Sequence, residues 1–262
     1  LPRMRFDDVF HTAVVGDGVY FASSSDNKVY CLDANSGQIR WEFCTDGPVR
    51  LAPTLAGGSV YVGSDDGKVY CLNASNGKPR WSFQAAPNNK LVLGNGKMIS
   101  RWPVRTGVIV DDGVAYFGAG VFPSQGVSLY AVRADTGKIL WTNDGFGKGG
   151  LGSVSPQGYM TASKQRLWVA SGRAVPATFS RKDGTFIKHT KFVWRRVGLF
   201  GGTYSMLAGD MLFNGTERML GIKEDSGKLE MSEEALRLVV DKDVAYMLNG
   251  SEVIALDRDG WT

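Results

Sequence analysis

The sequence predicts an all-β protein made of repeated four-stranded antiparallel units. The segment KVYCLDANSGQIRW (residues 28–41) recurs as KVYCLNASNGKPRW (68–81) and as SLYAVRADTGKILW (128–141). Each copy is an apolar strand, a turn rich in Asp, Asn, Ser, Thr and Gly, and a second strand ending in Trp, a pattern typical of a β-hairpin. Another hairpin pattern precedes each copy, as in HTAVVGDGVYFASS (11–24). Four short strands in a period of about forty residues are typical of a β-propeller blade.

The repeats continue in weaker form to the end of the chain. Lys188 and Met231 stand in the fourth and fifth copies where the first three have Trp. The last copy supplies three clear strands, so its fourth strand is expected from the N-terminal segment LPRMRF or from a larger propeller. The glycines that mark the repeated turns are Gly37, Gly77, Gly137, Gly184, Gly227 and, less regularly, Gly260. We predict one propeller domain or propeller fragment over residues 1–262, with six blades at 11–44, 51–84, 106–142, 158–190, 203–231 and 235–262.

Composition restricts the class of protein. A chain of 262 residues with 43% apolar side chains is able to bury a sizeable core, and no segment is predicted to span a membrane. The net charge of +4 is scattered along the chain, which does not indicate nucleic-acid binding. Cys31 and Cys71 occupy the same register of neighbouring repeats, which favours small core residues over a disulfide or a metal site. Because the chain starts at Leu1 and ends inside a repeat, we expect a processed or excised piece.

The hairpin copies resemble a known repeat. The spacing of Cys31, Asp33, Ser36, Gly37 and Trp41 is similar to the docking motif of PQQ-like repeats, A-x-D-x-x-T-G-x-x-x-W. That family includes the quinoprotein alcohol dehydrogenases and the outer-membrane-assembly lipoprotein BamB, and its propellers generally have eight blades. The resemblance implies that the chain belongs to a seven- or eight-bladed parent, and that each indole packs across a blade interface onto a glycine-containing turn. The residues with this structural role are Gly37, Trp41, Gly77, Trp81, Gly137 and Trp141.

Departures from the repeat period fall on one face of the predicted propeller. The long connections are residues 84–105, 143–157 and 192–202, and the unusual turns are 118–127 and 171–176. Strand alternation places all of them on the same side. Since function is concentrated in loops carried by a rigid scaffold, this face is predicted to bind a ligand or partner.

Arginine and aromatic residues are the candidate ligands of that face. Pro48-Val49-Arg50 and Pro103-Val104-Arg105 are identical tripeptides at matching positions before inner strands, which predicts two arginines near the channel mouth. Arginine suits carboxylate, sulfate or phosphate, and an indole or phenol suits a sugar ring or a planar ligand. The candidate ligand-binding residues are Arg50, Arg101, Trp102, Arg105, Gln157, Tyr159, Arg173 and Tyr204. The alternative is that these arginines pair with Asp7, Asp8, Asp65 or Asp66.

Motifs for catalysis are missing from the sequence. His11 and His189 have no metal-ligand spacing, and no nucleophile elbow, phosphate loop or haem attachment occurs. The acidic turn SDDGK (64–68) is interpreted as a hairpin turn with glycine, rather than a calcium site, so no metal is predicted. For a quinoprotein enzyme the resemblance implies a vicinal cysteine pair, a Trp beneath the cofactor and carboxylates that hold calcium. The sequence has no adjacent cysteines.

Two functional hypotheses remain. The first is a non-catalytic extracytoplasmic propeller, without cofactor, that binds a protein segment or an anionic or saccharide ligand on its loop-rich face. The second is a divergent PQQ-dependent alcohol or sugar dehydrogenase domain with calcium. The resemblance implies a bacterial periplasmic or other extracytoplasmic location, an envelope protein or glycan as partner, and possible fusion to further domains.

Overall fold

Antiparallel strands account for nearly all the regular structure, which confirms the predicted all-β propeller fold class. A computed structural model describes residues 12–94, 96–145, 154–171, 174–189, 204–215, 218–241 and 244–257. Within these ranges the only helical element is a 3-10 helix at Pro123–Gln125. The described residues form two compact units, the first up to Pro156 together with Asp183–Thr185, the second formed by Gln157–Lys182 and the residues from Phe186 onward.

The first unit contains three four-stranded sheets, each with its strands in sequence order, and one separate hairpin. The first blade comprises β1 (Ala13–Val15), β2 (Gly18–Ser23), β3 (Lys28–Asp33) and β4 (Ile39–Cys44). The second comprises β5 (Thr54–Ala56), β6 (Ser59–Gly63), β7 (Lys68–Asn73) and β8 (Pro79–Gln84), followed by the hairpin of β9 (Leu91–Gly94) and β10 (Lys97–Ser100). The third comprises β11 (Ile109–Asp111), β12 (Val114–Ala119), β13 (Ser128–Arg133) and β14 (Ile139–Asn143).

The second unit contains two four-stranded sheets and one three-stranded sheet. The fourth blade comprises β15 (Thr161–Ala162), β16 (Arg166–Ser171), β17 (Ala174–Ser180) and β18 (Phe186–His189). The fifth comprises β19 (Tyr204–Ala208), β20 (Met211–Gly215), β21 (Arg218–Lys223) and β22 (Leu229–Glu234). The last sheet comprises β23 (Arg237–Asp241), β24 (Val244–Asn249) and β25 (Glu252–Asp257). The segment LPRMRF, predicted to complete this blade, lies outside the described residues, and the single-domain boundaries stay a prediction.

A repeated register fixes which side chains face the next blade. In the first blade Tyr20, Cys31 and Trp41 pair across β2, β3 and β4, so their side chains lie in one row. A β-bulge follows Cys31 and shifts the register of the third and fourth strands. Equivalent register shifts follow Cys71, Ala131, Thr178 and Gly221.

The core of each unit lies between neighbouring sheets. Cys31 and Cys71 are buried free thiols, which confirms the prediction that they are small core residues. Burial raises the pKa of both thiols, so they stay protonated at neutral pH. The first strands β1, β5 and β11 contact one another in turn, which brings the residues that precede β5 and β11 close together. No helix in the described part of the chain has the length and apolar character needed to cross a membrane.

Candidate binding face

One face of the first unit carries its long connections, and we call it the loop-rich face. It is formed by the β2–β3, β6–β7 and β12–β13 turns and by the connections between blades, since antiparallel strands place these on the same side. The β9–β10 hairpin belongs to the connection between the second and third blades. The Lys97 ammonium donates to the carbonyls of Ser24 and Ser25 at 2.8 and 2.5 Å and to Asn27 Oδ1 at 3.0 Å, which ties this hairpin to the β2–β3 turn of the first blade.

Two predicted arginines converge on one carboxylate at this face. Arg50 Nε donates to Asp65 Oδ2 at 2.7 Å, while Arg105 donates from Nε to Oδ1 at 2.7 Å and from Nη2 to Oδ2 at 2.8 Å. Asp65 is 1% exposed, and both arginine side chains remain partly exposed. The three residues form the Asp65 cluster, with one negative and two positive charges. Pairing within the protein was the alternative for Arg50 and Arg105, and Asp65 is the partner.

Backbone contacts hold Asp65 between the two arginine tripeptides. Its N–H donates to the carbonyl of Pro48 at 2.8 Å, and its carbonyl accepts from the N–H of Ser100 at 2.7 Å. Gly47 is required beside it, because a Cβ at that position would lie 2.6 Å from the backbone nitrogen of Asp66. Close backbone packing therefore places the carboxylate between the two arginines.

The neighbouring Asp66 serves its own hairpin turn. Its Oδ1 accepts from the Lys68 N–H at 2.8 Å and its Oδ2 from the Tyr70 hydroxyl at 2.6 Å. Burial raises the pKa of Asp66 despite these hydrogen bonds, and burial together with the bond to Asp66 raises that of Tyr70. Among the described residues no group of three or more His, Cys, Asp or Glu side chains is arranged to hold a metal ion. Asp7 and Asp8, the other possible arginine partners, lie outside the described residues.

Arg101 and Trp102 form a second cluster with the β12–β13 turn. Arg101 Nε donates to Gln125 Oε1 at 3.0 Å, and its guanidinium lies 5.5 Å from the centre of the Trp102 ring. The Trp102 Nε1–H donates to the carbonyl of Gln125 at 2.8 Å, and this indole is only 9% exposed. Both side chains therefore brace the turn that begins at Gly120.

The remaining predicted ligand residues belong to the second unit. Gln157 forms a parallel bridge with Ser171, and Tyr159 is half-buried. The Tyr204 hydroxyl donates to the carbonyl of Leu238 at 2.6 Å, and burial raises its pKa. Arg173 lies outside the described residues, as do residues 192–202. The structure thus brings Arg50 and Arg105 together in the first unit and places Gln157, Tyr159 and Tyr204 separately in the second.

The sequence analysis missed an apolar surface on the β9–β10 hairpin. Met98 pairs with Leu93 and Ile99 with Val92, so Leu91, Leu93 and Met98 share one side of the hairpin and Val92 and Ile99 the other. Ile99 is buried, whereas Leu91, Leu93 and Met98 are 55, 75 and 57% exposed. We call these three side chains the hairpin apolar face. The sequence signal for such a hairpin is the Asn-Gly pair between two short apolar runs in LVLGNGKMIS (91–100).

The chain is similar in sequence and in fold to known β-propellers. The family model described as outer membrane protein assembly factor BamB matches residues 5–101. BamB from Moraxella catarrhalis is 18% identical and superimposes with a TM-score of 0.59, over 92% of this chain and 73% of that one. Residues 5–101 thus match the PQQ-like repeat model of BamB, and the chain has the β-propeller fold of these neighbours.

Other solved propellers share the fold at similarly low identity. The quinohemoprotein alcohol dehydrogenase from Comamonas testosteroni is 15% identical with a TM-score of 0.62, and the chain covers 43% of its length. The computationally designed Ika8 protein is 12% identical with a TM-score of 0.65, covering 94% of this chain and 70% of its own. A sequence search of the curated proteins gives no match. Among these neighbours, the same propeller fold occurs both in BamB and in an alcohol dehydrogenase.

The part of the loop-rich face that the structure describes does not fit PQQ and calcium. Among the described residues of this face, no group of three or more His, Cys, Asp or Glu side chains is arranged to hold calcium. Trp102, the indole nearest Arg105 in sequence, is buried and bonded to the Gln125 carbonyl, so its ring is not available as a flat stacking surface. We therefore derive no reaction through this cofactor, and the expectation of a cofactor-free protein stays a prediction.

Proposed function

We propose that this propeller is a non-catalytic scaffold of the bacterial cell envelope that binds an extended polypeptide segment on its loop-rich face. The observation that carries the proposal is the hairpin apolar face, in which Leu91, Leu93 and Met98 are each more than half exposed. The hairpin is a separate two-stranded sheet, inserted between the four-stranded sheets of the second and third blades. An exposed, contiguous apolar surface on such an insertion is typical of a protein interaction site.

The energetics favour a polypeptide over a glycan. Burying a Leu or Met side chain contributes about 1.5–3 kcal/mol, so three of them contribute about 4.5–9 kcal/mol before the costs of association are subtracted. Micromolar binding therefore requires further contacts on the loop-rich face. A sugar ring instead prefers an exposed aromatic surface. Trp102, the aromatic residue of the first unit that was predicted to bind a ligand, is buried. A partner segment with apolar side chains at alternate positions matches the spacing of Leu91 and Leu93 along one strand.

The Asp65 cluster gives the same face a positive rim. Arg50 and Arg105 are partly exposed and share one carboxylate, which leaves an excess of one positive charge. Arginine is enriched in protein interfaces, where it steers a partner of opposite charge. We therefore expect the bound segment to carry acidic residues beside its apolar ones. The matched family description, an outer membrane protein assembly factor, supports a partner in the envelope and a periplasmic location.

Selection of displayed peptides on the purified protein, followed by calorimetry, tests the proposal. We expect enriched peptides to alternate apolar residues, with acidic residues adjacent. Leu93→Glu should weaken their affinity roughly tenfold or more, because it places a charge on the apolar contact. Ile139→Glu is the matched control, since Ile139 is also exposed and begins a strand on the opposite face. The Ile139→Glu protein should bind the selected peptides with unchanged affinity.

Two results would contradict the proposal. Equal affinity in the Leu93→Glu and Ile139→Glu proteins would remove the hairpin from the binding site. Saturable, calcium-dependent binding of PQQ to the wild-type protein, measured by calorimetry with and without calcium, would favour the dehydrogenase alternative.

Arg50→Ala should weaken binding of acidic peptides and leave that of uncharged peptides unchanged, which separates the arginine contribution from the apolar one.

A further inference from the structure

A repeated arginine on the other face of the first unit is neutralised in one blade and not in the next. In the first blade, Arg40 donates to Asp17 from Nη1 at 2.9 Å and from Nη2 at 2.6 Å, and to Asp33 from Nη2 at 2.5 Å. These bonds lower the pKa of both carboxyl groups, which stay ionised at neutral pH. Arg40 thus has two carboxylates of its own.

The second blade keeps the arginine and loses both carboxylates. Arg80 occupies the position of Arg40 in β8, next to the motif Trp. The position of Asp17 in the β1–β2 turn is taken by Gly58 in the β5–β6 turn, and that of Asp33 by Asn73. Arg80 Nη2 donates to the carbonyl of Gly58 at 3.3 Å, and none of the described residues forms an ion pair with it.

Asn73 otherwise reproduces what Asp33 does. Asp33 Oδ1 accepts from the N–H groups of Asn35 and Ser36, and Asn73 Oδ1 accepts from the N–H and hydroxyl of Ser75. The difference is the second terminal atom. In Asp33 it is the oxygen that bonds to Arg40, whereas in Asn73 it is an amide nitrogen, a donor that is unable to pair with a guanidinium.

Arg80 also lies where an external group has access. It lines the groove between the first and second blades and the groove between the second and third. In the former groove Asp17 is held by Arg40. In the latter, Arg133 is paired with Asp135 at 2.7 Å. Arg80 is therefore an accessible guanidinium beside the place that an aspartate occupies in the preceding repeat.

We propose that Arg80 is a carboxylate-binding site, in which a carboxylate of a ligand takes the position that Asp17 and Asp33 occupy around Arg40. A bidentate guanidinium–carboxylate pair is the interaction that the first blade already makes with Asp17. Both open grooves admit an acidic side chain of a polypeptide as well as a small free carboxylate. The site is on the face opposite the hairpin apolar face, so it stands independently of the proposed function.

Arginine side-chain NMR on the whole protein tests the site, with Arg40 as an internal control. The probes are acetate, the peptide acetyl-Gly-Asp-Gly-amide, and the same peptide with Asn in place of Asp. We expect the Arg80 Nε–Hε resonance, assigned by its loss in Arg80→Gln, to shift saturably with the two carboxylates and to stay fixed with the Asn peptide. The Arg40 resonance should stay fixed throughout. Tighter binding of the Asp peptide than of acetate would identify a polypeptide ligand, and equal binding a small free anion.

Asn73→Asp is the decisive variant, because it supplies Arg80 with the carboxylate that Asp33 gives Arg40 and keeps the acceptor that the turn requires. It should weaken carboxylate binding roughly tenfold or more without loss of thermal stability. Equal shifts of Arg40 and Arg80, a response to the Asn peptide, or unchanged binding in Asn73→Asp would each overturn the proposal. If Asn73→Asp were to misfold, the response of Arg80 in the wild-type protein to the three probes would still decide it.

Discussion

The blade interfaces of the first unit and the interface between the fourth and fifth blades use different side chains for the same task. In the first unit the indole of Trp41 lies on Gly77, and its Nε1–H donates to the carbonyl of Ala74 at 2.9 Å. The Tyr20 hydroxyl donates to that carbonyl as well, at 3.2 Å. Trp81 repeats the arrangement on Gly137, with its Nε1–H bonded to the carbonyl of Ala134 at 2.9 Å, and Trp141 lies on Gly184.

In the fourth blade, cationic side chains donate to the neighbouring turn, as indole and phenol groups do in the first two blades. Lys188 holds the Trp position in the row that also contains Thr178 and Trp168. Its ammonium donates to the carbonyl of Ser226 at 2.9 Å. Arg166 donates from Nη1 to the carbonyl of Glu224, which is equivalent to that of Ala74.

This difference separates two roles that the repeat motif combines. One role is to satisfy the carbonyl groups of the neighbouring turn, and a lysine and an arginine fulfil it as well as an indole does. The other is to bury aromatic surface against glycine, which a lysine at the end of a strand does not provide. We therefore expect the interfaces of the first unit to depend on the motif residue more strongly than the fourth–fifth interface does.

Removal of an indole is the largest expected effect. Trp41→Ala should destabilise the first unit by about 3–5 kcal/mol, since it deletes a buried aromatic side chain and leaves the Ala74 carbonyl with one donor fewer. Urea unfolding followed by fluorescence and circular dichroism measures this change, and the two probes together report whether the units unfold separately. Trp41→Phe should recover part of the loss. A loss of unfolding free energy below about 1 kcal/mol for Trp41→Ala would contradict the expected dependence of the first unit on its indoles.

The glycine under the indole allows a matched pair of variants. Gly77 and Gly37 have φ values of +68° and +70°, so alanine strains the backbone equally at both. At Gly77 the new Cβ would lie 2.6 Å from Trp41 Cε3, whereas at Gly37 none of the described residues lies within 4 Å. Gly37→Ala should therefore cost about 1 kcal/mol, and Gly77→Ala about 1–3 kcal/mol more. Equal midpoints in thermal unfolding would show that strain alone, and not the indole, selects glycine.

Sequence alone predicted the parts of this molecule that repeat. The spacing of Gly37, Gly77 and the motif tryptophans gave the strand order and the indole positions, because each repeat has the same register. Matching tripeptides predicted that Arg50 and Arg105 lie together. The sequence did not show which aspartate they share, because Asp65 and Asp66 are adjacent in the same turn. Backbone contacts place Asp65, and not Asp66, between the two arginines.

Features without a counterpart in other repeats were beyond the sequence. The β9–β10 hairpin occupies an insertion, so no repeat copy indicates its position, and its docking through Lys97 involves a turn more than seventy residues earlier. The replacement of an indole by Lys188, with Arg166 as a second donor, likewise depends on the turn of another blade. The sequence shows the arginine in both repeats, as Arg40 and Arg80. That Arg80 lacks the carboxylate partners of Arg40 is clear only once the bonds of Arg40 are known.

Lys188→Ala is the smallest expected effect and the most direct test of what the fourth blade retains. The ammonium of Lys188 is exposed and forms one bond to the Ser226 carbonyl, while Arg166 still donates to Glu224 and Trp168 stays buried. We expect a loss of about 0.5–1.5 kcal/mol in urea unfolding of the second unit, well below that of Trp41→Ala in the first. Lys188→Met keeps the aliphatic stem and should lose only the hydrogen bond. A cost for Lys188→Ala as large as that for Trp41→Ala would mean that this interface depends on its lysine as the others do on their indoles.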